Sequence, residues 1–153
     1  MHRDARQLVE RISLVFEGAG LSPVAGRLVG HLLLCEPREQ SSAELAASTH
    51  ASKGSISTQT QLLATMGLIE RTRKPGNRAA FYRIRPHVWA DLLQLEVART
   101  QQLHELAKEA ITLKRSLGEP IDDRLSDFHG FTEFFLARLP ALIDEWRALQ
   151  MES

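Results

Sequence analysis

Residues 51–61 read ASKGSISTQTQ. The stretch holds Ser, Thr, Gln and one glycine, with Ile56 as its only large apolar residue. Ser, Thr and Gly are mediocre to poor helix formers, so composition alone makes it a linker. Spacing makes it a helix. With Ser52 as N-cap and a run to Met66, a step of about 100° per residue puts Ile56, Leu63 and Gly67 on one face. Gln59 and Thr60 flank that seam. Gly54, Ser57, Thr58, Gln61 and Thr65 fall opposite, and no acid occurs from 51 to 69.

That outward face suits DNA. Ser, Thr and Gln can donate to phosphate oxygens and base edges, and Gln can pair bidentately with adenine. Lys53 and the positive end of the helix favour a phosphate, and Gly54 lets two backbones approach. Taken alone, the stretch reads equally well as a weakly stable surface helix. Its neighbours decide between the two. Upstream, Ser41-Ser42 caps a short helix, AELAAS, with Leu45 and Ala46 as its buried residues, and 49–51 make a turn. Downstream, Gly67 reads as a C-cap glycine. Two strand-like runs, 69–74 and 80–84, then flank the turn-rich tip Pro75-Gly76-Asn77-Arg78, a hairpin. A short helix, a turn, a polar helix and a basic hairpin make a winged helix-turn-helix, whose second helix enters the major groove.

The outer segments are helical. Leu8, Val9, Ile12, Val15 and Phe16 form a stripe over 4–17, closed by Gly18 and Gly20. Ser22 caps and Pro23 opens a broad apolar helix that Pro37 closes, a central element by its composition. A long helix is predicted over 87–117 and another over 123–150, which Pro140 should kink or restart. The expected fold is mainly α with a small β-hairpin: a winged helix-turn-helix over 21–85, with 1–20 and 86–153 as a helical dimerisation region. Leu8, Ile12, Leu106, Ile111, Phe131, Phe135, Leu142 and Trp146 are the candidate dimer contacts.

The totals agree with one domain and a core. The chain has 153 residues, 43% apolar and 25% charged, ordinary for a globular protein. No apolar run approaches the roughly 18 residues of a membrane span. The N-terminal MHRDARQLVE lacks a signal peptide's apolar core, so no membrane partner and a cytoplasmic location are expected. The formal net charge is zero, but it is unevenly spread. Residues 69–85 carry about five net positive charges and residues 119–153 about five negative. A local basic patch matters more to a polyanion than the total. On this reading Arg71, Arg73, Lys74 and Arg78 supply wing charge, with Gly76 and Asn77 at its tip. Arg83 and Arg85, further from the tip, are read as candidates for salt bridges to the acidic tail.

Residues 41–85 resemble the winged helix of the multiple-antibiotic-resistance regulator (MarR) superfamily, and within it the GbsR-like branch. The resemblance rests on Leu45, Ala46, Ser52, Ile56-Ser57, Leu63, Gly67-Leu68-Ile69, Arg71, PGNR with Arg78, and Phe81-Tyr82. It implies a homodimer on double-stranded operator DNA, commonly a repressor relieved by a small-molecule effector. It also implies a wing arginine, here Arg78, in the minor groove. Gly76 and Asn77 stand where the family often has an aspartate bracing that arginine, which predicts a looser wing. The recognition residues expected from spacing and resemblance together are Ser52, Lys53, Gly54, Ser57, Thr58 and Gln61.

Other chemistry finds little support. Cys35 is a lone cysteine at the end of an apolar helix and reads as a small buried hydrophobe rather than a redox sensor. The six histidines show no metal-ligand spacing, so no metal and no cofactor are expected. His31 is expected to be a satisfied core-edge residue. Trp89, Tyr82, Trp146 and the last helix's phenylalanines fit a dimer core better than an aromatic cage for a quaternary ammonium ligand. No nucleophile elbow, phosphate loop or dinucleotide motif is present, so an enzyme is not expected. The alternative function is a winged helix used for protein interaction or dimerisation without DNA, which would call for an apolar or acidic recognition face.

Overall fold

In the computed structural model, residues 3–151 are described. They form two compact units, Met1–Val88 and Trp89–Ser153. The first unit opens with α1 (Arg3–Gly18) and α2 (Pro23–Leu34). Ser22 caps α2 with its hydroxyl oxygen on the Ala25 N–H, and Pro23 supplies the first-turn residue that needs no N–H partner. The two helices pack closely because α2 presents Gly26 and Gly30 to α1. A Cβ at Gly26 would stand 2.7 Å from Ser13 Oγ, and one at Gly30 would stand 3.1 Å from the Val9 carbonyl. Ser13 is fully buried there, its one hydroxyl hydrogen donated to Glu17 Oε1 at 2.7 Å with the Pro23 carbonyl 3.1 Å away as the other acceptor in reach.

As its composition predicts, α2 is central, with Ala25, Leu28, Val29 and Leu32 buried. After it come β1 (Gln40–Ser41), α3 (Ser42–Thr49), α4 (Lys53–Thr65), β2 (Ile69–Thr72) and β3 (Phe81–Ile84). The hairpin is therefore part of a three-stranded antiparallel sheet in the order β1-β3-β2. Ser41 pairs with Phe81, and Phe81 with Thr72. Two residues before a helix carry no alternation to read, so β1 has no strand signature of its own. In α3 the buried residues are Leu45 and Thr49; Ala46 is only half-covered, and the Thr49 hydroxyl satisfies itself on the Leu45 carbonyl at 2.7 Å.

The second unit holds most of α5 (Val88–Ser116) and all of α6 (Asp123–Met151). Pro140 lies inside α6, which continues through it without restarting. The helices meet around His104 and His129, whose ring centroids are 4.8 Å apart. Thr132 donates its single hydroxyl hydrogen to the His129 carbonyl at 2.8 Å. It can therefore only accept from His104 Nδ1, 3.0 Å away. Ala107, Thr132 and Ile143 are buried here, whereas Leu106, Leu113, Phe131, Phe134, Leu142 and Leu149 are more than half exposed.

Candidate nucleic-acid interface

The helix-turn-helix is assembled by short-range bonds. Ser41 accepts the Glu44 N–H at 3.3 Å while Glu44 Oε2 accepts the Ser41 N–H at 2.6 Å, a full capping box. Those bonds to Ser41 hold the Glu44 carboxyl below the usual carboxylate range. His50 then turns the chain in the left-handed region at φ 52°. Ser52 caps α4 by accepting the Ser55 N–H at 3.2 Å. At the other end Met66 is the C-cap and Gly67 takes φ 75°, where a side chain would be strained.

The segment 51–61 is thus helical from Lys53 on, behind its Ser52 cap, and its faces divide as the spacing predicts. Ile56, Thr60 and Leu63 are buried against α2, α3 and β2. Ser52, Lys53, Gly54, Ser57, Thr58, Gln61 and Thr65 are exposed. Thr60 can be buried because its hydroxyl donates to the Ile56 carbonyl at 2.7 Å. Thr58 likewise donates to the Gly54 carbonyl at 3.1 Å, leaving its oxygen as an acceptor and its methyl facing out.

The wing tip is a turn over residues 74–77, closed by Asn77 N–H to the Lys74 carbonyl at 3.1 Å. Pro75 and Gly76, the latter at φ 74°, have the residue order of a type II turn. Asn77 Oδ1 accepts the Ala79 N–H at 2.8 Å, so this side chain folds the tip from within. Arg71, Arg73 and Arg78 are exposed, and none has an ion-pair partner among the described residues.

Lys74 differs: its ammonium lies 4.4 Å from the Phe81 ring centre and 4.0 Å from Glu39. The expectation that Arg83 pairs with the acidic tail is corrected. Arg83 is clamped between Glu70 at 2.6 Å and Glu39 at 3.7 Å, because antiparallel register sets Glu70 opposite it. Arg85 donates to the Gly67 carbonyl at 2.9 Å. At the wing base Arg83 is thus paired with acids and Arg85 bonded to a carbonyl, while Arg71, Arg73 and Arg78 keep their charge unpaired among the described residues.

Two residues of this region escape sequence reasoning. Glu39 braces both Lys74 and Arg83 from a loop. Gln59 accepts a 2.8 Å hydrogen bond from the Ser22 hydroxyl, 37 positions away. No local pattern announces such pairs.

The remaining candidates are also placed. His31 is buried, with Nε2 at 3.5 Å from Gln40 Oε1 and Nδ1 without a hydrogen-bond partner among the described residues. It is therefore not the satisfied residue expected. Burial pushes its pKa below the ordinary 6.5. Cys35 is half-buried rather than buried, and desolvation raises its thiol pKa, which lowers its reactivity. Of the candidate dimer contacts, Leu8, Leu106, Phe131, Leu142 and Trp146 are exposed and Ile111 is half-buried, while Ile12 packs on Gly30 and Phe135 against Phe131. No helix is long and apolar enough to cross a membrane among the described residues.

Comparison with known proteins agrees with this architecture. The model of the MmpR5-like MarR family transcriptional regulators matches residues 87–150. The HTH-type transcriptional regulator MmpR5 of Mycobacterium tuberculosis (strain ATCC 25618 / H37Rv) is 38% identical over 116 residues, 76% of this chain and 68% of that protein. The crystal structure of a transcriptional regulator, 31% identical, superposes with a TM-score of 0.76 over 95% of this chain and 99% of its own. Fold and relatives are those of transcriptional regulators, not enzymes. With a winged helix-turn-helix in its first unit and the family's helices in its second, the chain belongs to the MarR family of DNA-binding transcriptional regulators, in its MmpR5-like group.

Proposed function

We propose that this protein is a homodimeric repressor that reads operator DNA with α4 in the major groove and its wing beside it, and that a small ligand relieves repression. The observation that carries the reading is the adjacency of an acid-free, exposed polar face on α4 to three unpaired wing arginines, Arg71, Arg73 and Arg78. Ser52, Lys53, Gly54, Ser57, Thr58 and Gln61 form the groove face. Lys74, Gly76 and Asn77 shape the wing more than they extend its charge. The GbsR-like kinship of residues 41–85 stays within this proposal, since the matched family model covers other residues. An interaction module without DNA is disfavoured because the outward face of α4 is neither apolar nor acidic.

Dimerisation is supported by the second unit's apolar excess. Two helices of 29 residues each leave Leu106, Leu113, Phe131, Phe134 and Leu142 largely exposed, more apolar surface than a lone monomer ordinarily presents. Dimer symmetry sets two half-sites one helical turn apart or a multiple of it. For the effector, a cleft of about 460 Å³ lined by Leu32, Leu33, Cys35, Arg38, Ile84 and Pro86 has the volume of a small-molecule site. The test is a mobility-shift titration on the protein's own promoter region. Wild type should bind with a steep salt dependence, and the Arg78→Ala, Lys74→Ala double variant should bind weakly. Absence of salt-sensitive binding by wild type would end the regulator reading.

A further inference from the structure

The reading helix rests on a narrow base. Its buried residues, Ile56, Thr60 and Leu63, lie within an arc of about 60° at 100° per residue, less than the roughly 100° stripe by which a surface helix usually docks. Apolar contacts are non-directional, so such a seam resists lifting better than rolling. Side-chain tips stand about 5–6 Å from a helix axis, and a roll of about 20° would carry Gln61 or Ser57 by about 2 Å. A hydrogen bond to a base edge does not survive that displacement.

Among the described residues, one side-chain hydrogen bond ties the body of α4 to another helix and opposes the roll, while Arg85 holds only the Gly67 carbonyl beyond its end. The Ser22 hydroxyl oxygen accepts the Ala25 N–H at 3.2 Å as the cap of α2. Its single hydrogen then has to go to an acceptor, and it goes to Gln59 Oε1 at 2.8 Å. Gln59 lies on the edge of the α4 seam, where leverage against rotation is greatest. Among the described residues, the other side-chain hydrogen bonds of this helix, from Ser52, Thr58 and Thr60, close on the helix itself.

We infer that the Ser22–Gln59 bond sets the rotation of α4 about its axis, making both positioning residues for base reading rather than contacts to DNA. The inference rests on the major-groove reading of α4. It predicts a loss of sequence discrimination, because phosphate attraction tolerates a roll and base contacts do not.

The experiment uses the duplex that wild type selects from a random-sequence pool, beside a scrambled duplex of equal length and composition. Gln59→Leu keeps the α2 cap but cuts the tether. Ser22→Gly also cuts it and costs the cap only a few tenths of a kcal/mol. Each should weaken binding to the selected duplex about 5–20-fold, the scale of one base contact, and leave the scrambled duplex within about twofold. The double variant should be no worse than either single one, the mark of residues acting through one bond. Ser22→Thr, which caps and donates, should restore discrimination. Should Gln59→Leu fail to fold, Gln59→Met serves in its place. Equal losses on both duplexes, additive losses in the double variant, or no loss at all would overturn the inference. Failure of wild type to select any duplex would instead overturn the DNA reading beneath it.

Discussion

At the scale of single residues, charge type and charge availability separate. The arginines nearest the tip face solvent unpaired, whereas Arg83 is already neutralised by Glu70 and Glu39. Arg78→Ala should therefore weaken binding to all duplexes alike and reduce the slope of log affinity against log salt by about 0.9, read from titrations at several salt concentrations. Arg83→Ala should lower thermal stability before it alters that slope. His31 supplies a pH signature. Burial lowers its folded-state pKa below 6.5, so below about pH 6.5 the unfolded chain binds more protons than the native one. Stability is full above that value and falls as pH drops through the folded-state pKa. Melting curves between pH 7.5 and about pH 5 should show this decline, and His31→Gln should flatten it.

At the scale of elements, two glycines in helices have opposite reasons to be there. Gly26 is steric. Its missing Cβ would meet Ser13 Oγ at 2.7 Å and the Ser13 carbonyl at 2.9 Å, and the carbonyl cannot swing aside. Gly26→Ala gains up to about 1 kcal/mol of helix propensity yet should destabilise by about 1–3 kcal/mol overall, measured by denaturant unfolding. Gly54 has open space: a Cβ there meets nothing nearer than Ser52 Oγ at 4.0 Å. Gly54→Ala should raise stability by up to about 0.5 kcal/mol and still weaken DNA binding, because in the proposed groove face its methyl would stand between backbone and duplex. A variant that melts higher and binds worse marks a position kept for function; unchanged binding would remove Gly54 from the interface.

At the scale of the whole molecule, the second unit is thinly packed for its length. Ala107, Thr132 and Ile143 are covered, while leucines and phenylalanines on α5 and α6 stay open. In the proposed homodimer a second copy would cover that surface. Leu106→Glu combined with Phe131→Glu should convert a dimer into a monomer in analytical ultracentrifugation. The same variant should lose most of its operator affinity while its winged helix remains folded, since one half-site then binds alone.

What the sequence determined by itself was local. Ser22-Pro23, Ser41 with Glu44, Ser52, Gly67 and Pro75-Gly76 mark helix starts, a helix stop and a turn. Each is legible because capping and turn geometry act over three or four residues. The Ile56–Leu63 seam placed α4 and its outward face for the same reason. Only the tertiary structure decided which polar groups are free. It gave β1 its strand by pairing Gln40 and Ser41 with Tyr82 and Phe81. It turned Arg83 inward to Glu70 and Glu39, and tied Gln59 to Ser22. It also left His31 Nδ1 buried without a hydrogen-bond partner among the described residues. These outcomes depend on partners brought together by packing across tens of residues, and a side chain's own letter does not say which neighbour it will meet.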